Sequence, residues 1–588
     1  MNAVARLVAL RQQAVSSQLI LSASLEQLQP TSLSSFLTGI PPAAQRQFAH
    51  AYTASAEPQP LEENESALRL PPQPASQPNE QPFVALNFDD PQIAFRTKTT
   101  GELLLAHGVF TACQIKPLVN NADALLKLSK KVLGSTIVNG VVKRTFFRHF
   151  CAGESQEDIR PRMSALFEAG IGGILDYAAE DDVDAKDGPA SRSEPHDTVV
   201  ARTYDYDTEA ACDRHTSIFL RSIDAAAQGR GQGFAAIKLT ALGNPKLLER
   251  VSAGLVAIRN LFSQFDLNHD NVVSHEEFES VYAELFNDAS SERMDQLFRY
   301  LDKDDTGVVD FLSWSRRIRL QDIPQIIKHC KVPGPLSFTA LSEEELRLLN
   351  NLMGRLYQLA EAAAAAGVRL MVDAEHSYFQ PAIDHAAMEL QRTFNKHTPT
   401  IFNTYQCYLK DSRDRILLDM ERARQEGFLF GAKLVRGAYL YLERGRAEEK
   451  GYPSPIHDSI EATHDNYDRI VEEVLGSVAA DGAEVMIASH NQSSVERAVA
   501  LMHERGLDHR EVGVYFGQLL GMADPLSFVL GASGYRAYKY VPFGPVEEVM
   551  PYLVRRAQEN STVLGGVQKE KSMVAAELRR RLFRLGRA

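Results

Sequence analysis

The chain has 588 residues, 44% hydrophobic and 24% charged, and 63 basic against 76 acidic side chains give a formal charge of −13. That balance excludes a fibrous or wholly disordered chain and argues against a broad nucleic-acid surface, and no apolar run approaches the roughly 20 residues a membrane-spanning helix needs. Five cysteines at 113, 151, 212, 330 and 407, with no CxxC, offer neither a disulfide framework nor a thiolate metal site.

In chain order, residues 1–50 open with Arg6 and Arg11 and carry no acidic residue in the first 25, a mixture of Ala, Leu, Val and Ser that predicts an organelle transit segment, mitochondrial by preference. Residues 51–92 are crowded with Pro, Gln, Ser and Glu and predict a disordered linker. Residues 93–165, with ELLLAHGVF and ALLKLSKKVLG, predict a helical N-terminal region. From 166 onward, short apolar β-prone runs recur between helical stretches. They are GGILDY at 172–177, FAAIKL at 234–239, RLMVDAE at 369–375, TIFNTYQ at 400–406, GAKLVRGAY at 431–439, EVMIASHN at 484–491, VGVYFGQLLG at 512–521 and YRAYKYVPFG at 535–544. Nearly continuous apolar character fits strands covered on both faces, and eight of them predict an α/β fold, a (β/α)8 TIM barrel split between 166–250 and 336–575. A doubly wound sheet is the chief rival. The runs end in Lys238, Asp373 with Glu375, Gln406, Arg436, His490 with Asn491, Gln518 and Tyr540, which a barrel would gather on the rim at the C-terminal ends of its strands.

Between Leu239 and Leu370 lie about 130 residues, too many for one crossover. Within 251–335, Asp266, Asn268, Asp270, Val272, Ser274 and Glu277 stand at positions 1, 3, 5, 7, 9 and 12 of a loop with EF-hand spacing. A second loop follows 36 residues later with Asp302, Asp304, Thr306, Val308 and Asp310 in the corresponding places, although Ser313 replaces the closing Glu. The pair predicts an inserted all-α EF-hand domain that binds calcium in its first loop, with the second loop doubtful. The barrel is expected to resume through a helix that starts at Ser342, with Glu345 completing a capping box, and ends at Gly367. Residues 576–588 form a basic helix with an apolar stripe, able either to touch anionic lipid or to dock on the core with its arginines in water.

Local chemistry stays open at several points. Lys238 at a strand end could be a Schiff-base former, an anion clamp or a snorkelling core residue. Tyr552, Arg555, Arg556 and Glu559 in PYLVRRAQEN share one helical face, where the two arginines form either a fork for a small carboxylate or surface ion pairs with Glu547, Glu548 and Glu559. Asp373 and Glu375, two apart on a strand, could orient a cation. No GxGxxG with Rossmann context, no Walker A sequence and no HExxH occurs, and no other His or Cys stands at metal-ligand spacing from His490.

LMVDAE, TYQCYLKD, KLVRGAY, IASHN, GQLLGMAD and YVPFG with YLVRRAQEN together resemble proline dehydrogenase of the eukaryotic mitochondrial type, over about residues 95–575. The resemblance implies a distorted barrel that holds FAD, oxidises L-proline to 1-pyrroline-5-carboxylate and passes electrons to ubiquinone. It also implies a peripheral protein on the matrix side of the inner mitochondrial membrane, with the oligomeric state left open. Carried over residue by residue, it implies that Lys238, Arg555 and Arg556 bind the substrate carboxylate, and that Asp373, Tyr439, Leu519, Tyr540 and Tyr552 complete the pocket. Its FAD contacts fall on Ala374, Gln406, Lys433, Arg436, Gly437, Ala438, His490, Asn491 and Glu559. Lys433-Leu-Val-Arg436 departs from the bacterial RxVKGAY pattern, and Tyr540, where hydroxyproline-using members carry Ser, leaves no room for a 4-hydroxyl. From the residues alone, a lysine-dependent aldolase or lyase centred on Lys238 and a calcium-responsive non-enzymatic binding protein are the alternatives.

Overall fold

The computed structural model describes residues 86–178, 208–229, 231–287, 290–331, 335–562 and 564–585. The transit-like segment 1–50, the linker up to residue 85 and the acidic run from 179 lie outside them. The strands, in chain order, are β1 (Ile171–Tyr177), β2 (Phe234–Ile237), β3 (Val272–Ser274), β4 (Val308–Asp310), β5 (Arg369–Val372), β6 (Ile401–Gln406), β7 (Gly431–Val435), β8 (Glu484–Ala488), β9 (Val514–Leu519) and β10 (Ala537–Phe543). Eight close into a barrel in the order β1-β10-β9-β8-β7-β6-β5-β2, every pairing parallel. This is the expected barrel and rules out the doubly wound rival.

Six of the eight barrel strands stop short of the apolar run that predicted them, while β1 and β6 end with theirs at Tyr177 and Gln406. Lys238 follows β2 in extended geometry and Leu239–Ala241 turns at once into a short 3-10 helix. β5 and β7 likewise end before Asp373 and Arg436, so the polar residues occupy loops at the carboxyl rim. The barrel interior is filled by Ile174, Phe234, Ala236, Met371, Phe402, Met486, Tyr515 and Tyr538. The Phe234 ring meets Tyr538 at 4.8 Å, Tyr515 at 5.0 Å and Phe402 at 5.8 Å, all edge to face. Gly172 makes room for this plug: it lies opposite Tyr538 in the ladder, and a Cβ there would stand 2.2 Å from the ring.

The chain divides into two compact units. The barrel unit also holds the N-terminal helices and the last helix, Leu564–Leu585. Ala106 and Phe110 of helix Thr100–Cys113 pack with Val567, and Arg581 donates to the carbonyls of Phe95 (2.8 Å) and Lys98 (2.6 Å). Arg580 and Arg581 also pair with buried Glu577 within the helix, and Arg581 is the one of the two that ties it to the N-terminal segment. All five cysteines are buried, and none is in a disulfide.

The second unit comprises, among described residues, Gly243–Gly354 and Tyr378–His385. Its own core stacks Phe265 on Phe278 at 4.9 Å and seats the single Trp314, whose indole N–H donates to the Ile258 carbonyl at 3.3 Å. The expected capping box forms at its edge, Ser342 N–H donating to Glu345 at 2.8 Å and Glu345 N–H to Ser342 at 3.2 Å.

The all-α EF-hand domain does not stand. β3 and β4 pair antiparallel, and the expected calcium ligands Asp266, Asn268, Asp270, Val272, Ser274, Glu277, Asp302, Asp304, Thr306, Val308 and Asp310 are not assembled into a metal site. Among the described residues no group of three or more His, Cys, Asp or Glu could hold a metal ion. The carboxylates turn to the loop backbone instead. Asp266 accepts from the N–H groups of Asp270 and Asn271, both at 3.1 Å, and Glu277 from those of Leu267 (3.1 Å), Asn268 (3.2 Å) and Ser274 (2.9 Å). Asp302 accepts from Thr306 (2.9 Å) and Gly307 (2.8 Å). Short acidic side chains capping their own turn produce the same alternate spacing that a calcium loop would.

Candidate active site

The barrel gathers the strand-end residues on one rim. Lys238 and Asp373 are both buried, and the Lys238 ammonium lies 2.9 Å from Asp176 at the end of β1 and 3.8 Å from Asp373. Asp373 also pairs with Lys433 of β7 and accepts a hydrogen bond from the Tyr540 hydroxyl at 2.7 Å, while Lys433 sits 5.4 Å from the centre of the Tyr540 ring. Burial alone would raise the Asp373 carboxyl; the Lys433 and Lys238 ammoniums, with hydrogen bonds from Lys433 and Tyr540, hold it below its ordinary range. Burial and the flanking Asp176 and Asp373 carboxylates push the Tyr540 phenol up, which keeps it a hydrogen-bond donor. Two carboxylates at the Lys238 ammonium hold it by ion pairing, which favours a cation over a free nucleophilic amine.

Glu375 is buried beside this group, accepts from the Thr240 N–H at 3.1 Å and is bonded to the Thr240 hydroxyl. Burial pushes its carboxyl up to about 7, against those hydrogen bonds and the Lys238 charge. Its carbonyl accepts from the Gln406 amide at 2.7 Å, which holds Gln406 at the end of β6. Ala374 between the two acids is half-buried.

A second group follows β7 and β8. Arg436 donates to His464 (2.9 Å), Ser489 (2.7 Å) and Ser494 (2.8 Å), with its guanidinium 4.2 Å from the centre of the Tyr467 ring. Gly437 and Ala438 are exposed. Gly437 has φ +136°, and a Cβ there would come within 2.5 Å of the Tyr408 ring, so the loop requires glycine. Tyr439 is buried with its ring 4.4 Å from that of His376. Asn491 caps helix Gln492–Glu504 by accepting from the Ser494 N–H at 3.2 Å. His490 Nε2 accepts from the Leu519 N–H at 3.0 Å, which fixes that nitrogen unprotonated. The residues packed around it, followed by the Lys539 and Arg556 cations, push the imidazole below its usual range even though its outer face meets solvent.

The third group lies on helix Met550–Thr562. Tyr552, Arg555 and Arg556 are buried, Arg556 donates to Glu559 at 2.6 Å, and its guanidinium lies 5.1 Å from the Tyr552 ring centre. Arg555 and Arg556 are therefore not the exposed surface pairs that composition allowed. Tyr552 and Leu519 belong to one apolar cluster. Burial raises the Tyr552 phenol against the Arg556 cation, with Glu559 and Asp176 close enough to add to the rise, so this helix and the Asp176–Lys238 pair border one region.

Sequence reasoning missed Asp176 and Thr240. An acidic side chain closing the otherwise apolar GGILDY run was the available signal for Asp176; Thr240 had none. It also missed the support under the loop after β9. Lys539 of β10, wholly buried, pairs with Asp524 at 2.9 Å and donates to the Met522 carbonyl at 2.6 Å, and Asp524 pairs with Lys98. Glu570 accepts from the N–H groups of Ala523 (2.9 Å) and Asp524 (3.0 Å), holding Ala523 at φ +51°.

A family model described as proline dehydrogenase matches residues 165–569. The chain is 40% identical over 546 residues to proline dehydrogenase 1, mitochondrial, of Homo sapiens, covering 85% of this chain and 90% of the relative. It is 36% identical over 580 residues to the Drosophila melanogaster protein of the same name, covering 88% and 84%. It is 33% identical over 501 residues to the hydroxyproline dehydrogenase of Xenopus laevis, covering 85% and 91%. Proline utilization A from Bdellovibrio bacteriovorus is a more distant likeness, 17% identical with TM-score 0.48; it covers 83% of this chain, which spans 40% of that longer protein. The chain belongs to the proline dehydrogenase family.

Proposed function

We propose that the chain is an FAD-dependent proline dehydrogenase, oxidising L-proline to 1-pyrroline-5-carboxylate and passing the electrons to ubiquinone. The observation that carries the reading is that the family match, 165–569, contains the whole rim, from Asp176 to Glu559. Lys238, Arg555 and Arg556, all three buried, are the cations that hold the substrate carboxylate. Asp373 with Tyr540, and Tyr439, Leu519 and Tyr552, shape the walls that exclude water and hold the ring in one orientation.

The chemistry of the donor set fits a flavin dinucleotide. Exposed backbone at Gly437–Ala438, the Arg436 and Lys433 cations and the N-terminus of helix Gln492–Glu504 suit a diphosphate, and Ala374, Gln406, His490, Asn491 and Glu559 complete the contacts. FAD, when bound, supplies the two-electron acceptor. The chain's own task is to clamp the carboxylate so that the ring carbon beside nitrogen is presented for loss of a hydride, the proton of the ring nitrogen passing to bulk solvent outside the pocket. Tyr540 fills the space next to the ring and disfavours a 4-hydroxyl. The reading also assigns the chain to the matrix face of the inner mitochondrial membrane as a peripheral protein, supported by the mitochondrial relatives. Among the described residues no helix is long and apolar enough to cross a membrane.

Proline added anaerobically to the purified protein should bleach its oxidised-flavin absorbance. Arg555→Ala and Arg556→Ala should each lower kcat/KM for proline by roughly a hundredfold or more, the scale of a lost charge-assisted pair, while flavin content per chain stays near wild type. Parallel loss of flavin and turnover would assign the arginines to folding instead.

A further inference from the structure

Three consecutive helices of the barrel unit, Lys116–Asn120, Ala122–Leu133 and Ser135–Val142, turn apolar side chains outward. No residue of Ala122–Leu133 is buried, although ADALLKLSKKVL holds five Leu and Val. Leu125, Leu128 and Val132 fall at i, i+3 and i+7 on one face, and with Leu118, Ile137 and Val141 they are 38% to 71% exposed. An amphipathic helix of a globular protein ordinarily turns such a stripe to the core. Here the stripe forms a patch, with a shallow groove lined by Leu118, Ala124, Leu125 and Leu128, unlike the scattered single residues that need no explanation.

Charge identifies the occupant. From Lys116 to Arg144 six basic residues stand against a single acid, Asp123, within a chain of net charge −13. Lys143 pairs with Glu154, while Lys127, Lys130 and Lys131 lie on the apolar helix itself. We infer that this face seats the protein on an anionic lipid bilayer, with the leucines and valines entering the acyl boundary and the lysines at headgroup level. Leucine-rich faces with flanking lysines are the pattern of helices that lie in the interface without spanning it. The C-terminal basic helix is the weaker candidate, because Arg580 and Arg581 are held by Glu577. Val119, Val142 and Phe146 connect the docking helices to the cluster that contains Leu519 and Tyr552. A bilayer on this face thus lies one helical layer from the pocket walls. That last relation rests on the function proposed above; the docking does not.

Flotation of the purified full chain with phosphatidylcholine vesicles, with and without phosphatidylglycerol, tests it, alongside proline-dependent dye reduction. Wild type should float with the anionic vesicles and less with neutral ones. Leu128→Glu with Val132→Glu should weaken partitioning roughly tenfold or more. Lys127→Glu with Lys130→Glu and Lys131→Glu should weaken it about a hundredfold on anionic vesicles. Both variants should keep wild-type melting and dye reduction, since the altered side chains lie outside the core. Failure of wild type to float, undiminished flotation of both variants, or loss caused instead by Leu582→Glu with Phe583→Glu would overturn the inference. So would flotation that survives while the leucine-valine variant turns an oligomer into a monomer, since the face would then join copies of the chain. Absent dye reduction in a wild type that floats would count against the proposed activity alone.

Discussion

Asp373 receives a cation from β7, a phenol from β10 and a second cation at longer range from the end of β2, so its position reports on three strands at once. Shortening Tyr540 to Ser removes the phenol from Asp373 and opens space beside the substrate ring. In Tyr540→Ser, kcat/KM for 4-hydroxyproline relative to proline should rise at least about tenfold, the scale at which a pocket discriminates one small group. An unchanged ratio in steady-state assays with both substrates would remove Tyr540 from specificity. Glu375 makes a stability prediction. Its carboxyl is raised by burial from 4.5 to about 7, so between those values the folded protein holds a proton that the unfolded chain has released, and stability falls as pH rises through the window. Below it no penalty exists, and above about 7 the penalty is complete. Glu375→Gln keeps the hydrogen-bonding outline toward Thr240 without titrating. Its melting advantage over wild type should therefore grow between about pH 5 and pH 8, by about 2–3 kcal/mol, and parallel melting curves would refute the assignment. Lys238, Asp373 and Tyr540 were legible because each breaks an apolar run. Asp176 was not, since its partnership with Lys238 depends on β1 and β2 being neighbours across a gap of 62 residues.

All eight barrel strands could be read from apolar runs because both faces of each are covered, whereas the ends of all but β1 and β6 could not, because the rim loops continue the β-prone composition past the strand. The acidic loops of 266–277 and 302–313 show the opposite failure. A spacing that satisfies backbone N–H groups in a turn has the same residue pattern as one that surrounds an ion, and only the placement of the oxygens separates them. Gly172 illustrates a requirement invisible to composition. Its missing side chain admits the Tyr538 ring to the aromatic plug. Gly172→Ala should cost about 1–3 kcal/mol as overpacking. Adding Tyr538→Leu should return part of that loss in thermal denaturation, although each change alone destabilises. Additive losses in the double variant would mean that the two sites do not share this contact.

At the scale of the molecule, the chain divides into a barrel unit and a smaller unit with its own aromatic core, the smaller one drawn mostly from the long connection after β2. What sequence periodicity could not reveal is which helical faces remain outside. The leucine stripe of Ala122–Leu133 has the pattern of any core-facing helix, and its exposure emerges once the barrel has taken its cover from elsewhere. Barrel closure has a further consequence in the order of synthesis. β1 pairs with β10, so the seam joins the first barrel strand to the last, 360 residues or more downstream. Until Ala537–Phe543 has left the ribosome or an import channel, β1 and β9 each present a bare, apolar, hydrogen-bonding edge of the kind that recruits other chains. The nascent protein thus passes most of its assembly as an open sheet, dependent on whatever shields those edges, and a chain stopped just short of residue 537 would be left as a permanently sticky ribbon.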